Sequence, residues 1–121
     1  MTDMRTISTL FHSAWLLLLG IAAAGAHAFL DHAEPRVGST VRAAPREVSL
    51  SFTQNLEPRF STVTVTDASG QRVDGGRPII SGSTMRVPLR GIRSGTYRVS
   101  WRVLSVDTHT TEGAFTFRVG E

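Results

Sequence analysis

Hydrophobic and polar residues alternate along most of the chain after residue 27. Val48, Leu50 and Phe52 alternate with serine and threonine, and Val63 and Val65 alternate with threonines. In extended backbone, successive side chains point to opposite faces, so these runs predict strands with one buried face. The same pattern recurs in three further runs, at residues 85–89, 97–103 and 115–119.

Turn-forming residues separate these runs. Stretches that contain Gly, Pro, Asp or Ser lie at residues 67–70, 74–78 and 90–95, and no long segment has helical periodicity. Several short strands with turns between them predict an all-β domain, a Greek-key β-barrel or sandwich. Within the run 85–89, Met85 is expected in the core. Pro88 cannot donate to a strand ladder and predicts an edge strand or a bulge.

The first 26 residues have the pattern of a cleavable signal peptide. Arg5 precedes an apolar run at residues 14–24, and small residues follow it. As a helix this run would span about 16 Å, too short for a bilayer core of about 30 Å. Two A-x-A boxes are present, so cleavage before His27 or before Phe29 is possible. We expect export to the periplasm, a leader at 1–26 and one domain at 27–121.

Composition excludes several kinds of site. The 121 residues include no cysteine, so a disulfide scaffold, a thiolate zinc site and a cysteine nucleophile are ruled out. The 13 basic residues are all arginine and the net charge is +3. Several arginines occupy the outward positions of strands without interleaved aromatic residues, which favours a solvated face over nucleic-acid binding. These outward positions are Arg86, Arg98, Arg102 and Arg118.

Asp107 and His109 are the strongest candidates for chemistry. They are two residues apart, so in extended backbone both side chains project to the same side. A carboxylate and an imidazole there can bind a metal, form an acid–base pair or simply hydrogen-bond in a solvated turn, and spacing alone favours the last of these.

His27 changes this balance if it is the first mature residue. Its α-amine and ring Nδ1 could then chelate one metal. An amine, two imidazoles and a carboxylate form the nitrogen and oxygen donor set that suits Cu(II), although zinc would accept it too. His32 is a weaker candidate and is expected at the surface or behind the ligands.

The chain from residue 27 onward resembles the CopC-like (CopC/YobA) periplasmic copper-binding domain family. The motifs that carry the resemblance, in order along the chain, are His27-Ala28, Glu34-Pro35, Gly38-Ser39, Ala44-Pro45 leading into residues 48–52, Leu56-Glu57-Pro58, and the segments 95–101, 105–109 and 113–117.

The resemblance implies an immunoglobulin-like, cupredoxin-like fold of about seven to nine short antiparallel strands. It implies one Cu(II) per chain, held by His27, through amine and ring, with Asp107 and His109. Cleavage before His27 follows, because the other cut would remove a ligand. It also implies that the residue at position 54 hydrogen-bonds a ligand histidine from behind.

Three departures from the family pattern modify this expectation. Thr108 replaces a usual glycine, which narrows the backbone conformations open to the turn. Gln54 replaces a usual glutamate, and a neutral amide raises the basicity of a ligand histidine less than a carboxylate does. The methionine-rich Cu(I) loop of some members is missing, so a Cu(II)-only variant is expected.

Three functions compete at this point. The first is a non-enzymatic binding protein, monomeric, that serves copper resistance or homeostasis by sequestering Cu(II) or passing it to an inner-membrane importer or another periplasmic acceptor. The second is an oxidative copper enzyme of the histidine-brace type. The third is an immunoglobulin-like structural domain in which the histidines have no metal role.

Overall fold

The computed structural model describes residues 28–121, which form two packed β-sheets. The eight strands are β1 Leu30–Glu34, β2 Thr40–Val41, β3 Glu47–Phe52, β4 Thr62–Thr66, β5 Ile79–Ser81, β6 Thr84–Pro88, β7 Gly95–Leu104 and β8 Thr110–Val119. A 3-10 turn at Pro58–Phe60 precedes β4. One sheet has the order β1-β3-β6-β5 and the other β2-β8-β7-β4.

The predicted fold class is confirmed, with the sandwich rather than the closed barrel. Three strands differ from the expectation of short antiparallel elements. β7 and β8 have 10 residues each and pair along their whole length, and β2 pairs with β8 in parallel. The alternation missed β1, β2 and β5. β2 and β5 have only two and three residues, too few for a period of two to be visible, and the residues of β1 do not alternate between apolar and polar.

The core lies between the sheets and is built from the predicted inward positions. Val48, Leu50 and Phe52 of β3 are buried, and Met85 is fully buried, as expected. Tyr97 and Phe117, cross-strand partners on β7 and β8, stack with ring centroids 5.5 Å apart. The four arginines at outward positions are all exposed. The hydrophobic pattern therefore fixes which face of each long strand is buried.

The expectation for Pro88 is wrong. β6 is an inner strand between β3 and β5, and its register with β3 is regular up to Pro88. The proline is tolerated because it is the last residue of β6, beyond the β5 pairing, which ends opposite Arg86. Its carbonyl accepts a hydrogen bond from the Gly75 N–H at 2.7 Å.

The proposed leader and His27 lie outside the described residues. The division into a leader at 1–26 and a domain at 27–121 therefore stays a prediction. Across residues 28–121, no helix is both long enough and apolar enough to cross a bilayer.

Candidate metal centre

Three chain segments meet at one end of the sandwich, where β7 turns into β8. The first is the turn between these strands, residues 105–109. The second is the segment after β3, which contacts that turn through a bridge between Leu56 and Ser105 and through the Val106 N–H, which donates to the Asn55 carbonyl at 3.0 Å. The third is the segment before β1, which is anchored at Ala28.

Asp107 and His109 come together in the β7–β8 turn, as their spacing predicts. The His109 Nδ1 lies 3.4 Å from the Asp107 Oδ1, and the His109 backbone N–H points at the same oxygen at 3.4 Å. The Asp107 side chain is 37% exposed and the His109 side chain is 46% exposed, so both can be reached from solvent. The Asp107 Oδ2 accepts no hydrogen bond from residues 28–121.

Ser105 fixes the geometry of this turn. Its hydroxyl donates a short hydrogen bond to the Asp107 Oδ1, and its backbone N–H donates to the His109 carbonyl at 3.0 Å. The Ser105 hydrogen bond is the main reason that the pKa of Asp107 lies below its ordinary value, with further lowering by His109 against a partial desolvation. Asp107 is therefore an ionised carboxylate at neutral pH, which is the form that binds a cation.

Thr108 occupies the position where the resemblance leads us to expect a glycine. Its φ is +72°, in the left-handed region that a β-branched residue rarely adopts. The Thr108 N–H donates to the Ser105 carbonyl at 2.9 Å, which closes the turn in this conformation. The turn thus keeps a glycine-like shape with a threonine in it, at a cost of about 1–2 kcal/mol in backbone strain.

The segment before β1 is held firmly beside the turn. Ala28 is fully buried, and its carbonyl accepts a hydrogen bond from the Thr111 hydroxyl at 2.8 Å. Phe29 and Thr53 exchange two hydrogen bonds of 2.9 Å: the Phe29 N–H donates to the Thr53 hydroxyl, and the Thr53 N–H donates to the Phe29 carbonyl. The backbone at Ala28 is therefore fixed next to Thr111, which lies two residues after His109 in the chain.

The other predicted residues have different surroundings. The His32 Nδ1 lies 3.2 Å from Asp31 Oδ2 on β1, with both side chains about two-thirds exposed. Gln54 is half-buried directly after Thr53, and its side chain makes no hydrogen bond to another residue of the range 28–121. Within that range no three His, Cys, Asp or Glu side chains are placed to hold a metal. Asp107 and His109 are brought together there, and His32 is not among them.

Comparison with known proteins agrees with the fold and the motif order. A model of the CopC domain matches residues 30–120. The chain belongs to the CopC domain family. This membership confirms the resemblance inferred from the sequence.

The chain has relatives of similar size. It is 36% identical to protein YobA of Escherichia coli K12 over 98 residues, which cover 78% of this chain and 79% of YobA. The solved structure of CopC from Methylosinus trichosporium OB3b matches with a TM-score of 0.72 at 31% identity, over 77% of this chain and 93% of that one. The solved structure of PcoC, a methionine-rich copper resistance protein from Escherichia coli, matches with a TM-score of 0.69 at 34% identity, over 78% of this chain and 100% of that one.

Sequence reasoning missed three residues of this candidate metal centre. Ser105 could have been found, because it lies two residues before Asp107 and so repeats the spacing that pairs Asp107 with His109. Thr53 and Thr111 carry no such signal. Each anchors a segment that is distant in sequence, by 24 and 83 residues.

Proposed function

We propose that this CopC-family protein binds one Cu(II) at the end of the sandwich where β7 turns into β8. We place the protein in the periplasm, where it serves copper resistance or homeostasis; its relative PcoC is named a copper resistance protein. It binds the ion as a monomer and either sequesters it or passes it on, without catalysing a reaction. The acceptor is an inner-membrane importer or another periplasmic protein.

The proposed ligands are Asp107, His109 and His27. The observation that carries this assignment is the anchoring of Ala28 beside the turn that holds the Asp107–His109 pair. Consecutive Cα atoms lie 3.8 Å apart, so a residue directly before Ala28 stays within a few ångströms of that fixed point. If cleavage precedes His27, both its α-amine and its ring are held near the turn.

The chemistry of these donors favours Cu(II). An amine, two imidazoles and a carboxylate form a nitrogen and oxygen set, whereas Cu(I) prefers thiolate and thioether sulfur. The chain has no cysteine, and Met85, the single methionine of the range 28–121, is fully buried in the core. Asp107 offers its Oδ2, because its Oδ1 already accepts from Ser105 and His109.

Gln54 and His32 take supporting places in this proposal. Gln54 follows Thr53, which is hydrogen-bonded to Phe29, so its amide is suited to orient the His27 ring. A neutral amide orients a ring without raising its basicity, which predicts weaker binding than a glutamate would give. His32 pairs with Asp31 and stays outside the ligand set.

The decisive experiment is a Cu(II) titration followed by EPR. Protein that begins at His27 is compared with protein that carries one extra residue before it. The extra residue abolishes the free α-amine of His27, so nitrogen hyperfine coupling should change and the affinity should fall at least about tenfold. Equal spectra and affinities in both would contradict His27 as a ligand.

Variants of the turn test the remaining ligands. Asp107→Ala and His109→Ala should each weaken Cu(II) binding by at least about tenfold, since losing even a group behind a ligand costs that much, while the β-sheet circular dichroism is unchanged. Asp31→Ala is a matched control, since it removes the carboxylate of the other Asp–His pair. Unchanged affinity in both turn variants would refute the site. A polysaccharide oxidation assay with ascorbate tests the enzyme alternative, and we expect no copper-dependent product.

Binding should weaken as the pH falls. An α-amine titrates near 7.7–8.0 and a histidine near 6.5 in unperturbed form, and both must lose a proton before they bind a metal. Isothermal titrations between pH 7.5 and 5 should therefore show a steady loss of affinity. A flat profile would contradict an amine and imidazole donor set.

A further inference from the structure

A concave surface separate from the proposed copper site lies at the edge of the sandwich, along β4. It is a groove of about 720 Å³ between the edge of β4, at Thr62–Thr64, and the segment that leads from Arg72 to Pro78, with Arg90 completing the wall. β4 is the last strand of its sheet, so its outer side has no strand neighbour there. None of the residues proposed for copper lines this groove.

Three arginines line the groove: Arg72, Arg77 and Arg90. The single acidic side chain among the lining residues is Asp74. Arg77 and Arg90 are exposed, and their guanidinium groups make no ion pair or hydrogen bond with another residue in the range 28–121. An arrangement of like charges at one site is unfavourable unless a counter-charge joins it. The groove therefore has an excess of positive charge.

Asp74 balances only one of the three charges, that of Arg72, because its oxygens are engaged by Arg72 and by the Val65 N–H. Its side chain is 1% exposed, and its Oδ1 accepts hydrogen bonds from the Val65 N–H at 2.9 Å and the Arg72 Nε at 3.2 Å. Its Oδ2 accepts from the Arg72 Nη2 at 2.5 Å. Asp74 thus holds one edge of the Arg72 guanidinium.

Arg72 is thereby oriented with donors to spare. A guanidinium has five N–H donors, and Asp74 takes two of them. The Arg72 side chain is 62% exposed, so the remaining donors are open to a ligand. Pairing with Asp74 also raises the pKa of Arg72, through the hydrogen bond first and the charge second.

We propose that this groove binds a phosphate group. A carboxylate presents two oxygens in one plane, which a single guanidinium fork satisfies. A phosphate presents several oxygens in a tetrahedral arrangement and accepts donors from several sides, as three arginines supply. Thr62 lines the same groove, and its side chain carries a hydroxyl that can add a neutral donor. The groove is large enough for the phosphate to belong to a larger molecule.

The test is titration of the metal-free protein with inorganic pyrophosphate, monitored by amide chemical shifts. The expected shifts lie in β4 and in residues 72–78 and 90. The double variant Arg77→Gln/Arg90→Gln should weaken binding at least about tenfold, since it removes two charge-assisted donors. Both side chains are exposed and unpaired with the described residues, so the fold should persist, and circular dichroism checks it.

A matched double variant separates a built site from general charge attraction. Arg42→Gln/Arg118→Gln removes the same two charges from exposed positions, one directly after β2 and one on β8, which are separated from β4 by at least one strand of the sheet. We expect it to bind pyrophosphate within about twofold of the parent protein, because the Debye length is about 8–10 Å at ordinary salt. Equal loss in both double variants, or no binding by the parent protein at 10 mM, would overturn the proposal.

A second arm identifies the source of the phosphate. Sedimentation with vesicles of phosphatidylglycerol is compared with vesicles of phosphatidylcholine. Binding to the first that is lost in Arg77→Gln/Arg90→Gln and kept in the control assigns the groove to a lipid headgroup. Pyrophosphate binding without vesicle binding assigns it to a soluble phosphate compound. Cu(II) affinity should be unchanged in both double variants. A failure of the phosphate proposal would therefore not affect the copper proposal.

Discussion

The molecule contains two aspartates that each face a basic partner two residues away, and the two pairs differ in almost every other respect. Asp74 faces Arg72 and is 1% exposed, with both carboxylate oxygens engaged by the protein. Asp107 faces His109 and is 37% exposed, and its Oδ2 accepts no hydrogen bond from residues 28–121. The first carboxylate completes the edge of a sheet, and the second lies in a turn.

The difference shows how one residue type serves structure or binding according to its environment. Burial raises the pKa of Asp74, but the hydrogen bonds from Arg72 and the Val65 N–H outweigh that effect and bring it below the ordinary value. The pKa of Asp107 is lowered mainly by Ser105. Both are ionised at neutral pH, yet of the two only Asp107 has an oxygen that accepts no hydrogen bond from residues 28–121.

The largest expected effect comes from deleting the structural carboxylate. Asp74→Ala leaves the Val65 N–H without its acceptor and Arg72 without its partner, so we expect a loss of about 2–3 kcal/mol in the free energy of unfolding. Urea denaturation followed by circular dichroism measures it. Asp107→Ala is the matched control and should lower the urea midpoint much less, because the Asp107 side chain is 37% exposed and water can replace it as an acceptor. Equal midpoints for the two variants would break the distinction between the pairs.

Gly113→Ala tests whether the packing of β8 against Trp101 is as sensitive to substitution as the buried Asp74–Arg72 pair. Gly113 lies on β8, and a Cβ built there would be 2.5 Å from Trp101 Cζ2, whose ring packs edge-on against Phe52. Gly113→Ala should therefore lower stability by about 1–3 kcal/mol through overpacking. Gly91→Ala has no atom within 4 Å of the new Cβ and should be neutral in the same urea titration. A neutral Gly113→Ala would show that the indole can move aside freely.

Thr108 tests how much strain the turn stores. Thr108→Gly removes a β-branched residue from φ +72° and should raise stability by about 0.5–1 kcal/mol, after allowance for the greater freedom of glycine in the unfolded chain. Thr108→Ala keeps a Cβ in the same conformation and should not give this gain. Thermal unfolding of the two variants is compared. The same gain in both would mean that the threonine side chain, and not its backbone, is the source of strain.

The smallest expected effect is that of acid on the buried pair. Because the folded-state pKa of Asp74 is lowered, its ionised form contributes stability above the ordinary value of about 4, and this is lost as the pH falls through the folded-state value. Asp74→Asn should thus lose less stability than the parent protein between pH 5 and 3. Urea midpoints across that range measure it, with Asp107→Asn alongside. Parallel pH profiles for the parent protein and Asp74→Asn would contradict a charged role for Asp74.

Much of the fold was predictable from alternation because long strands repeat the pattern often enough. The buried face of β7 follows from Tyr97, Val99 and Val103, all of which are buried. β2 has two residues and offers no pattern at all. Pro88 misled the prediction because the rule that excludes proline from inner strands applies to positions within a strand, whereas Pro88 is the last residue of β6.

Asp107 and His109 were accessible to sequence reasoning because their pairing is local. A spacing of two residues largely determines the direction of both side chains, whatever the rest of the chain does. The anchoring of Ala28 by Thr111 joins residues that are 83 positions apart, and no local pattern encodes it. The same holds for the groove, where Thr62 and Arg90 become neighbours only after the two sheets have packed.

The sequence by itself determined an all-β chain, its buried faces, its lack of thiol ligands and the Asp107–His109 pair, because each of these depends on residue type and short-range spacing. The tertiary structure decided which aspartate is buried, where Ala28 is held and which arginines share a groove. These depend on contacts between distant segments, which form only when burial of the common core brings the two sheets together.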